Sequence, residues 1–185
     1  MLFFIASTAV ANNSQDSSTR FSLAIKQVKA LGYLEKANAI IYLPKLRWGS
    51  LFQLRGGFGR AALSIRDQNK WCGTAPVRVL LGDFNGMKTN TSNKPDVILI
   101  LIMNAEITKK LTLGIDITGD DYSTSSFSLS GRNTDTDLIM VGMDDYDSGL
   151  ILNPGSSFLN DLFGTQYENL PCDKDSSQLP FLNSL

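Results

Sequence analysis

The sequence predicts an α+β domain in which one N-terminal amphipathic helix packs on a strongly bent antiparallel sheet, barrel or sandwich of about eight short strands. Three observations favour this fold class. Apolar residues recur at helical spacing between residues 20 and 37. Short segments rich in β-branched and apolar residues follow, separated by Gly, Pro, Asn and Asp. The regular alternation of strands and helices that a doubly wound sheet requires is missing from the sequence.

The length and composition are those of one soluble globular domain. The chain has 185 residues, of which 43% are hydrophobic and 19% charged, enough to bury a single core. We assign residues 1–19 to an export signal remnant and linker, residues 20–170 to the domain, and residues 171–185 to a polar tail.

The first residues resemble a secretion signal. An apolar run from Leu2 to Val10 precedes Ala11, which completes a small-x-small cleavage pattern, and a polar Asn/Ser stretch follows. The run is too short to span a bilayer. We therefore expect an exported protein, periplasmic or peripheral to the membrane.

The predicted helix runs from Arg20 to Ala37 and has a basic edge. Its apolar stripe comprises Phe21, Ala24, Ile25, Val28, Leu31 and Leu34. Lys26, Lys29 and Lys36 fall within an arc of about 80° beside that stripe. Two interpretations stay open: the helix packs on the domain with its lysines in solvent, or it lies on an anionic membrane.

The strand predictions follow in order along the chain. They cover residues 39–44, 50–55, 60–66, 76–82, 96–103, 113–117, 122–130, 137–143 and 148–152. Residues 66–70 are predicted as a turn, residues 104–111 as a short helix, and residues 156–164 as a final helical turn. The segment from Asp96 to Met103 is the most apolar, which predicts a central strand covered on both faces.

Three closely spaced glycines interrupt the early strands. Gly56, Gly57 and Gly59 match neither the phosphate-binding loop nor the dinucleotide-binding pattern. Their spacing differs from both patterns, and the residues that follow them predict a strand where the dinucleotide-binding pattern needs a helix. They predict instead a place where a sheet bends, with positive φ or close backbone approach.

Charge is distributed unevenly between the halves of the chain. Residues 1–94 hold 13 Lys/Arg and 4 Asp/Glu, whereas residues 95–185 hold 4 Lys/Arg and 14 Asp/Glu. The formal net charge of -1 argues against a nucleic-acid partner. Either the basic half faces an anionic partner, or the two halves neutralise each other within one fold.

The sequence excludes several kinds of catalysis. It has no histidine, so Ser-His-Asp and Cys-His mechanisms and the usual zinc ligand are absent. No calcium-loop pattern is present, and we predict no catalytic residues, metal or cofactor. Cys72 and Cys172 could be two free thiols or one disulfide. A buried cluster of aspartates would revive an enzyme interpretation; the candidates are Asp116, Asp120, Asp121, Asp144 and Asp145.

Aromatic and basic residues are interleaved in the first half. The aromatic residues are Tyr42, Trp48, Phe58 and Trp71, and the cations among them are Lys45, Arg47, Arg55, Arg60 and Lys70. This pattern is compatible with single-stranded nucleic acid, with an anionic membrane interface, or with aromatic residues in the core and solvated cations.

An ordered series of landmarks resembles the SYLF domain. The landmarks are Leu31-Gly32 to Ala37, Ile41 to Pro44, Gly56-Gly57-Phe58-Gly59, Arg66, Trp71 to Pro76, Asp96 to Asn104, Ser148-Gly149-Leu150, and Asn160 to Gly164. The resemblance spans about residues 20–170. It implies a lipid-binding module without enzymatic activity. Eukaryotic members bind phosphoinositides, partly through a basic amphipathic N-terminal helix, and some bind actin; bacterial members are often exported.

These observations give a functional hypothesis and an alternative. The hypothesis is a module that binds anionic phospholipid or phosphoinositide headgroups. The predicted lipid-binding residues are Lys26, Lys29, Lys36, Lys45, Arg47, Arg55 and Arg60. The alternative is a protein-binding envelope scaffold whose basic half docks an acidic partner.

Overall fold

The fold is α+β, with a few helices and a curled mixed sheet that forms a half-barrel. A computed structural model describes residues 12–51, 54–83, 97–127, 135–143, 149–154, 172 and 179. The predicted export signal, at residues 1–11, and the helical turn predicted at residues 156–164 lie outside the described residues.

Three α-helices, a short 3-10 helix (Gly119–Asp121) and nine strands occur in the described part of the chain. The helices are α1 (Asn12–Ala30), α2 (Tyr33–Lys36) and α3 (Ala105–Thr112). The strands are β1 (Ala39–Leu43), β2 (Arg47–Leu51), β3 (Leu54–Asp67), β4 (Lys70–Asp83), β5 (Ile98–Ile102), β6 (Ile117–Thr118), β7 (Thr124–Ser126), β8 (Leu138–Val141) and β9 (Gly149–Asn153). The sheet order is β6-β9-β4-β3-β1-β5-β8-β7, and β2 pairs with β3.

The N-terminal helical region differs from the prediction at both ends. Helix α1 begins at Asn12 rather than Arg20 and ends at Ala30. Residues 12–19 are rich in Asn and Ser, which are weak helix formers, and this composition predicted a linker. The helix forms there nevertheless, because each such residue costs only a few tenths of a kcal/mol relative to Ala in a helix. Gly32 has φ of 71°, the left-handed conformation that ends helices, so the chain restarts as the short α2.

A long hairpin of β3 and β4 forms the middle of the sheet. Gln68 and Asn69 both have positive φ, 45° and 66°, as a two-residue type I′ turn requires. The turn predicted at residues 66–70 is therefore confirmed. The prediction of separate strands at residues 50–55 and 60–66 is wrong, because the glycines between them stay extended within β3.

The sheet is neither wholly antiparallel nor closed, which corrects two parts of the prediction. Strands β7 and β8 pair in parallel, and the other pairs are antiparallel. Residues 127–137 connect them, about the dozen residues that a parallel connection needs. The ordered path ends at β6 on one side and β7 on the other, so the sheet remains an open half-barrel.

Buried side chains alternate between two clusters on opposite faces of the sheet. The first face carries Ala39, Ile41 and Leu43 of β1, together with Ile107 and Leu111 of α3. Strands β3, β4, β5, β8 and β9 also contribute to this cluster, through Ala61, Leu63, Val77, Val79, Leu81, Ile98, Ile100, Ile102, Leu138, Met140, Leu150 and Leu152. The second face carries a cluster made of Ile25, Val28, Tyr33, Leu34, Ala37, Ile40, Trp71, Leu99, Leu101, Phe127, Ile139, Val141 and Leu179. Strand β5 is buried on both faces, as its apolar run predicted.

The glycine-rich part of β3 is a site of close approach. A Cβ at Gly59 would lie 2.7 Å from the carbonyl oxygen of Lys45 and within contact distance of the Leu43 side chain. Gly56 and Gly57 are similarly close to Leu81 and Leu46. The close-approach prediction is confirmed; the alternative of positive φ is not seen at these three residues.

Candidate functional site

The predicted lipid-binding cations are distributed over the N-terminal helices and the first three strands. Lys26 and Lys29 lie on α1, and Lys36 ends α2. Lys45 follows β1, Arg47 begins β2, and Arg60 lies on β3. All six side chains are exposed. Arg55 also lies on β3, but its side chain falls outside what the structure describes.

None of these six cations is paired with a carboxylate among the described residues. The ion pair found in that part of the chain joins Lys110 Nζ to Glu106 Oε1 at 2.9 Å, within helix α3. Lys110 also donates to the Tyr122 hydroxyl at 2.9 Å. These hydrogen bonds, first to Tyr122 and then to Glu106, raise the pKa of Lys110. The basic first half is therefore not neutralised residue by residue by the described carboxylates of the second half.

Part of the second face is open to solvent. Because Ala61 and Leu63 of β3 point into the first cluster, the alternate residues Phe58 and Arg60 point to the second face. On β4, the same argument places Arg78 and Leu80 there. All four side chains are exposed. We call this area, together with Arg47 of β2, the arginine-aromatic patch.

Two arginines stand directly opposite each other in the arginine-aromatic patch. Arg60 is the register partner of Arg78, which places their Cβ atoms about 4.5–5.5 Å apart. Arg47 is the register partner of Phe58, and is therefore a diagonal neighbour of Arg60. Like charges in such positions repel by up to about 1 kcal/mol in water. An anion placed between them would convert that repulsion into attraction.

A second row of cross-strand neighbours, which is mainly apolar, lies beside the Arg60–Arg78 pair. Phe58 is the register partner of Leu80, and Leu80 is the register partner of Ile151 on β9. Phe58 is 54% exposed and Leu80 is 44% exposed, so two large apolar side chains face water next to the guanidinium groups. The patch can thus contact a molecule that is anionic at one end and apolar at the other.

The row of cross-strand neighbours that contains Arg60 and Arg78 ends in a hydrogen-bonded pair of polar side chains. Asn153, opposite Arg78 on β9, donates from Nδ2 to Asp116 Oδ1 at 2.9 Å. The Asp116 carboxylate is therefore hydrogen-bonded to Asn153 at the β9 end of this row. Arg78 forms no ion pair with it or with any other described carboxylate.

Helix α1 exposes apolar side chains as well as lysines. Ile25 and Val28 belong to the second cluster, whereas Leu23 is 51% exposed. Leu31, predicted to lie in the buried stripe, is 57% exposed. The reason is that the helix ends at Ala30, so Leu31 leaves the helical spacing and lies in the turn before α2.

The candidate aspartates for an enzyme do not form a buried group among the described residues. Asp116, Asp120 and Asp121 are exposed, and Asp121 Oδ2 accepts a hydrogen bond from Thr118 at 2.6 Å. Asp144 and Asp145 lie outside the described residues. Among the described residues, no three His, Cys, Asp or Glu side chains are grouped so that they could hold a metal ion.

The Asp137 carboxylate accepts hydrogen bonds from neighbouring segments of the fold. Its Oδ2 accepts from the Ser123 amide at 2.9 Å and from the Ser123 hydroxyl at 2.7 Å. Its Oδ1 accepts from Asn104 Nδ2 at 2.8 Å. These bonds, led by those from Ser123, lower the pKa of Asp137. The group ties β5, β7 and β8 together at one end.

The two cysteines form a disulfide. Cys72 of β4 is bonded to Cys172, which is 100 residues further along the chain. Leu179, in the predicted polar tail, is 1% exposed and belongs to the second cluster. The C-terminal segment is therefore attached to the domain at both of its described residues.

Arg78, Phe58 and Leu80 were not among the predicted site residues. The alternation of Val77, Val79 and Leu81 with Arg78 and Leu80 was a usable signal for the face of β4. The sequence did not show which residues of β3 would stand opposite, because that depends on the register of the hairpin.

Comparisons with protein-family models, with curated proteins and with solved structures found no match. Among the described residues, none of the helices is both long enough and apolar enough to span a membrane.

Proposed function

We propose that the protein is a non-enzymatic module that attaches peripherally to membranes containing anionic phospholipids, as the SYLF resemblance implies. The observation that carries the proposal is that Lys26, Lys29, Lys36, Lys45, Arg47 and Arg60 are exposed and have no carboxylate partner among the described residues. Their attraction to lipid phosphates is not cancelled by described carboxylates. Each such cation near an anionic surface contributes about 1 kcal/mol.

In this proposal, helix α1 packs on the second face of the sheet and directs its basic edge outward. Burial of Ile25 and Val28 in the second cluster supports this orientation. It leaves Lys26, Lys29 and the exposed Leu23 available to the headgroup region. Leucine beside lysine on an outward helical surface is typical of interfacial helices.

We further propose that the protein is exported and is periplasmic or peripheral to the membrane. The Cys72–Cys172 disulfide supports this proposal, because structural disulfides persist mainly in oxidising compartments. Attachment through a few cations would be weak and sensitive to salt, because screening acts over about 8–10 Å at physiological ionic strength.

Vesicle cosedimentation tests the proposal. The wild-type chain should sediment with vesicles of phosphatidylcholine and phosphatidylglycerol and remain free with phosphatidylcholine alone. Replacing Lys26, Lys29 and Lys36 by Glu should lower the affinity by about 100-fold or more, from three lost contacts. The matched variant with Arg at these positions keeps the charges and should bind normally.

The outcomes separate the two candidate functions. If the wild-type chain ignores lipid composition, lipid binding is rejected and the scaffold that docks an acidic protein is favoured. If wild-type binding is strong and the Glu variant binds equally well, the three lysines are not the contact.

A further inference from the structure

We infer that the arginine-aromatic patch is a second membrane-contacting surface, which docks on an anionic phospholipid bilayer with Arg47, Arg60 and Arg78 at lipid phosphates and Phe58 and Leu80 among the uppermost acyl groups. This inference rests on the proposed function and assigns it a site. Arg78, Phe58 and Leu80 have no place in the helix-based hypothesis.

The charge arrangement is the first argument. Arg60 and Arg78 are direct cross-strand partners and Arg47 is diagonal to Arg60. None of the three has a carboxylate partner among the described residues. Planar guanidinium groups suit phosphate oxygens because they donate two parallel hydrogen bonds. A phosphate bound between the Arg60 and Arg78 guanidinium groups would offset the repulsion that the strand register imposes on them.

The neighbouring apolar row is the second argument. Phe58 and Leu80 form a cross-strand pair in the row next to Arg60 and Arg78, and about half of each side chain faces water. A free phosphate would use only the arginines and would leave this pair in water. A phospholipid provides both halves, since its phosphate lies directly above its acyl chains.

The size of the patch favours a bilayer over an acidic protein. A stable protein interface takes roughly 20–30 residues on each side, and the apolar part of this patch has two strongly exposed members. A bilayer needs no matching shape, because it offers many phosphates at once and admits single aromatic side chains at headgroup depth.

The location is compatible with the helix contact. The patch lies on the second face of the sheet, the face whose cluster includes Ile25 and Val28 of α1. Strands β2, β3 and β4 carry the patch, and β1, β4, β5 and β8 carry the sheet part of that cluster. Lysines of α1 and arginines of the sheet therefore belong to the same side of the molecule.

Charge reversal at the arginine pair tests the inference on the full chain. Arg60→Glu with Arg78→Glu should reduce binding to phosphatidylcholine–phosphatidylglycerol vesicles by about tenfold or more. The matched control is Lys70→Glu with Lys109→Glu, which changes the net charge equally at exposed residues outside the patch and should reduce binding far less. Equal losses in the two double variants would overturn the inference, even if the wild-type chain binds well.

A second variant reports contact without changing charge. Phe58→Trp should show a blue shift of tryptophan emission when anionic vesicles are added, beyond any change from Trp48 and Trp71 in the wild-type chain. No added shift, with vesicle binding intact, would mean that the patch faces away from the bilayer. A shift produced by inorganic phosphate, without one from vesicles, would identify an anion site and also overturn the inference.

The two proposals can fail separately. Loss of wild-type vesicle binding rejects the proposed function. Retained wild-type binding, with normal binding by the patch variants and loss only in the Lys26, Lys29 and Lys36 variant, rejects this inference alone.

Discussion

Gly59 is a residue at which the fold leaves no room for a side chain. It lies in the middle of β3, at the place where the connection from β1 to β2 passes over the strand. Both the Leu43 side chain and the Lys45 carbonyl oxygen occupy the space that a Cβ would need. The Lys45 carbonyl belongs to the backbone, so it cannot rotate away as a side chain could.

Replacing Gly59 by Ala should therefore destabilise the domain. We expect the free energy of unfolding to fall by about 1–3 kcal/mol, the usual cost of overpacking a closely packed site. Gly49→Ala on β2 is the matched control, because its Cβ would meet nothing within 4 Å. Urea denaturation followed by tryptophan fluorescence measures both variants, and equal stability of the two would contradict this account.

Arg78 shows why part of the site could not be predicted residue by residue. The sequence predicts a turn within residues 66–70, and pairing counted straight from Gln68-Asn69 would oppose Arg60 with Val77. An irregularity between Ser64 and Arg66 shifts the register by one residue and so brings Arg60 opposite Arg78. A one-residue shift exchanges the faces of a strand, and nothing in the local composition indicates where the shift occurs.

At the scale of elements, Asp137 connects segments that are distant in sequence. Its carboxylate holds Ser123, just before β7, and Asn104, whose Oδ1 also caps α3 by accepting from the Glu106 amide at 2.8 Å. The Asp137 carbonyl in addition accepts from the Met103 amide at 2.8 Å. The start of α3 and the parallel pair β7–β8 thus share one anchoring group.

Asp137→Asn should weaken this anchor. The amide cannot accept at both positions, so at least one donor of Ser123 or Asn104 loses its partner. We expect a loss of about 1 kcal/mol at neutral pH, a modest value because the side chain is only half-buried. Asp135→Asn, at an exposed neighbour, is the control and should be nearly neutral in the same denaturation experiment.

The pH dependence of stability provides an independent check on Asp137. Its pKa is lowered in the folded protein, so its stabilisation is present above the unfolded pKa of about 4 and is lost as pH falls through the lower folded value. In Asp137→Asn, unfolding free energies measured over this acidic range should fall less steeply than in the wild type. An unchanged slope would show that the carboxylate is not stabilised by these bonds.

The elements show which patterns predict structure well. Strand β5, the short helix α3 and the β3–β4 turn each have a strong local signal, and each is found within a residue or two of its predicted place. Strand β6 does not follow the prediction at residues 113–117, where only Ile117 is in a strand. There the local pattern is outweighed by α3, which ends at Thr112 and needs residues 113–116 to turn back.

At the scale of the whole molecule, one covalent bond joins the turn end of the β3–β4 hairpin to the C-terminal segment. Cys72 lies beside Trp71, which is 3% exposed in the second cluster. The sequence could not decide between two free thiols and one disulfide, because the spacing of two cysteines along the chain does not fix the distance between them in the fold. The tertiary structure settles that alternative by placing the two residues together.

Reduction should therefore lower the stability of the whole domain. Closing a loop of this length restricts the unfolded chain, and we expect reductant to lower the free energy of unfolding by about 2–4 kcal/mol. Urea midpoints with and without dithiothreitol measure the effect. The variant with both cysteines replaced by Ser should resemble the reduced protein and ignore dithiothreitol; identical midpoints for oxidised and reduced wild type would contradict the expectation.

The same bond has a consequence for proteolysis. A peptide bond cut once between Cys72 and Cys172 would leave two fragments that remain joined through sulfur. The N-terminal fragment would retain β1 to β3 and Cys72. The C-terminal fragment would retain Cys172, and the sheet could stay assembled through its strand pairs. Damage of this kind would be invisible on a non-reducing gel and would appear as two shorter chains only after a thiol is added.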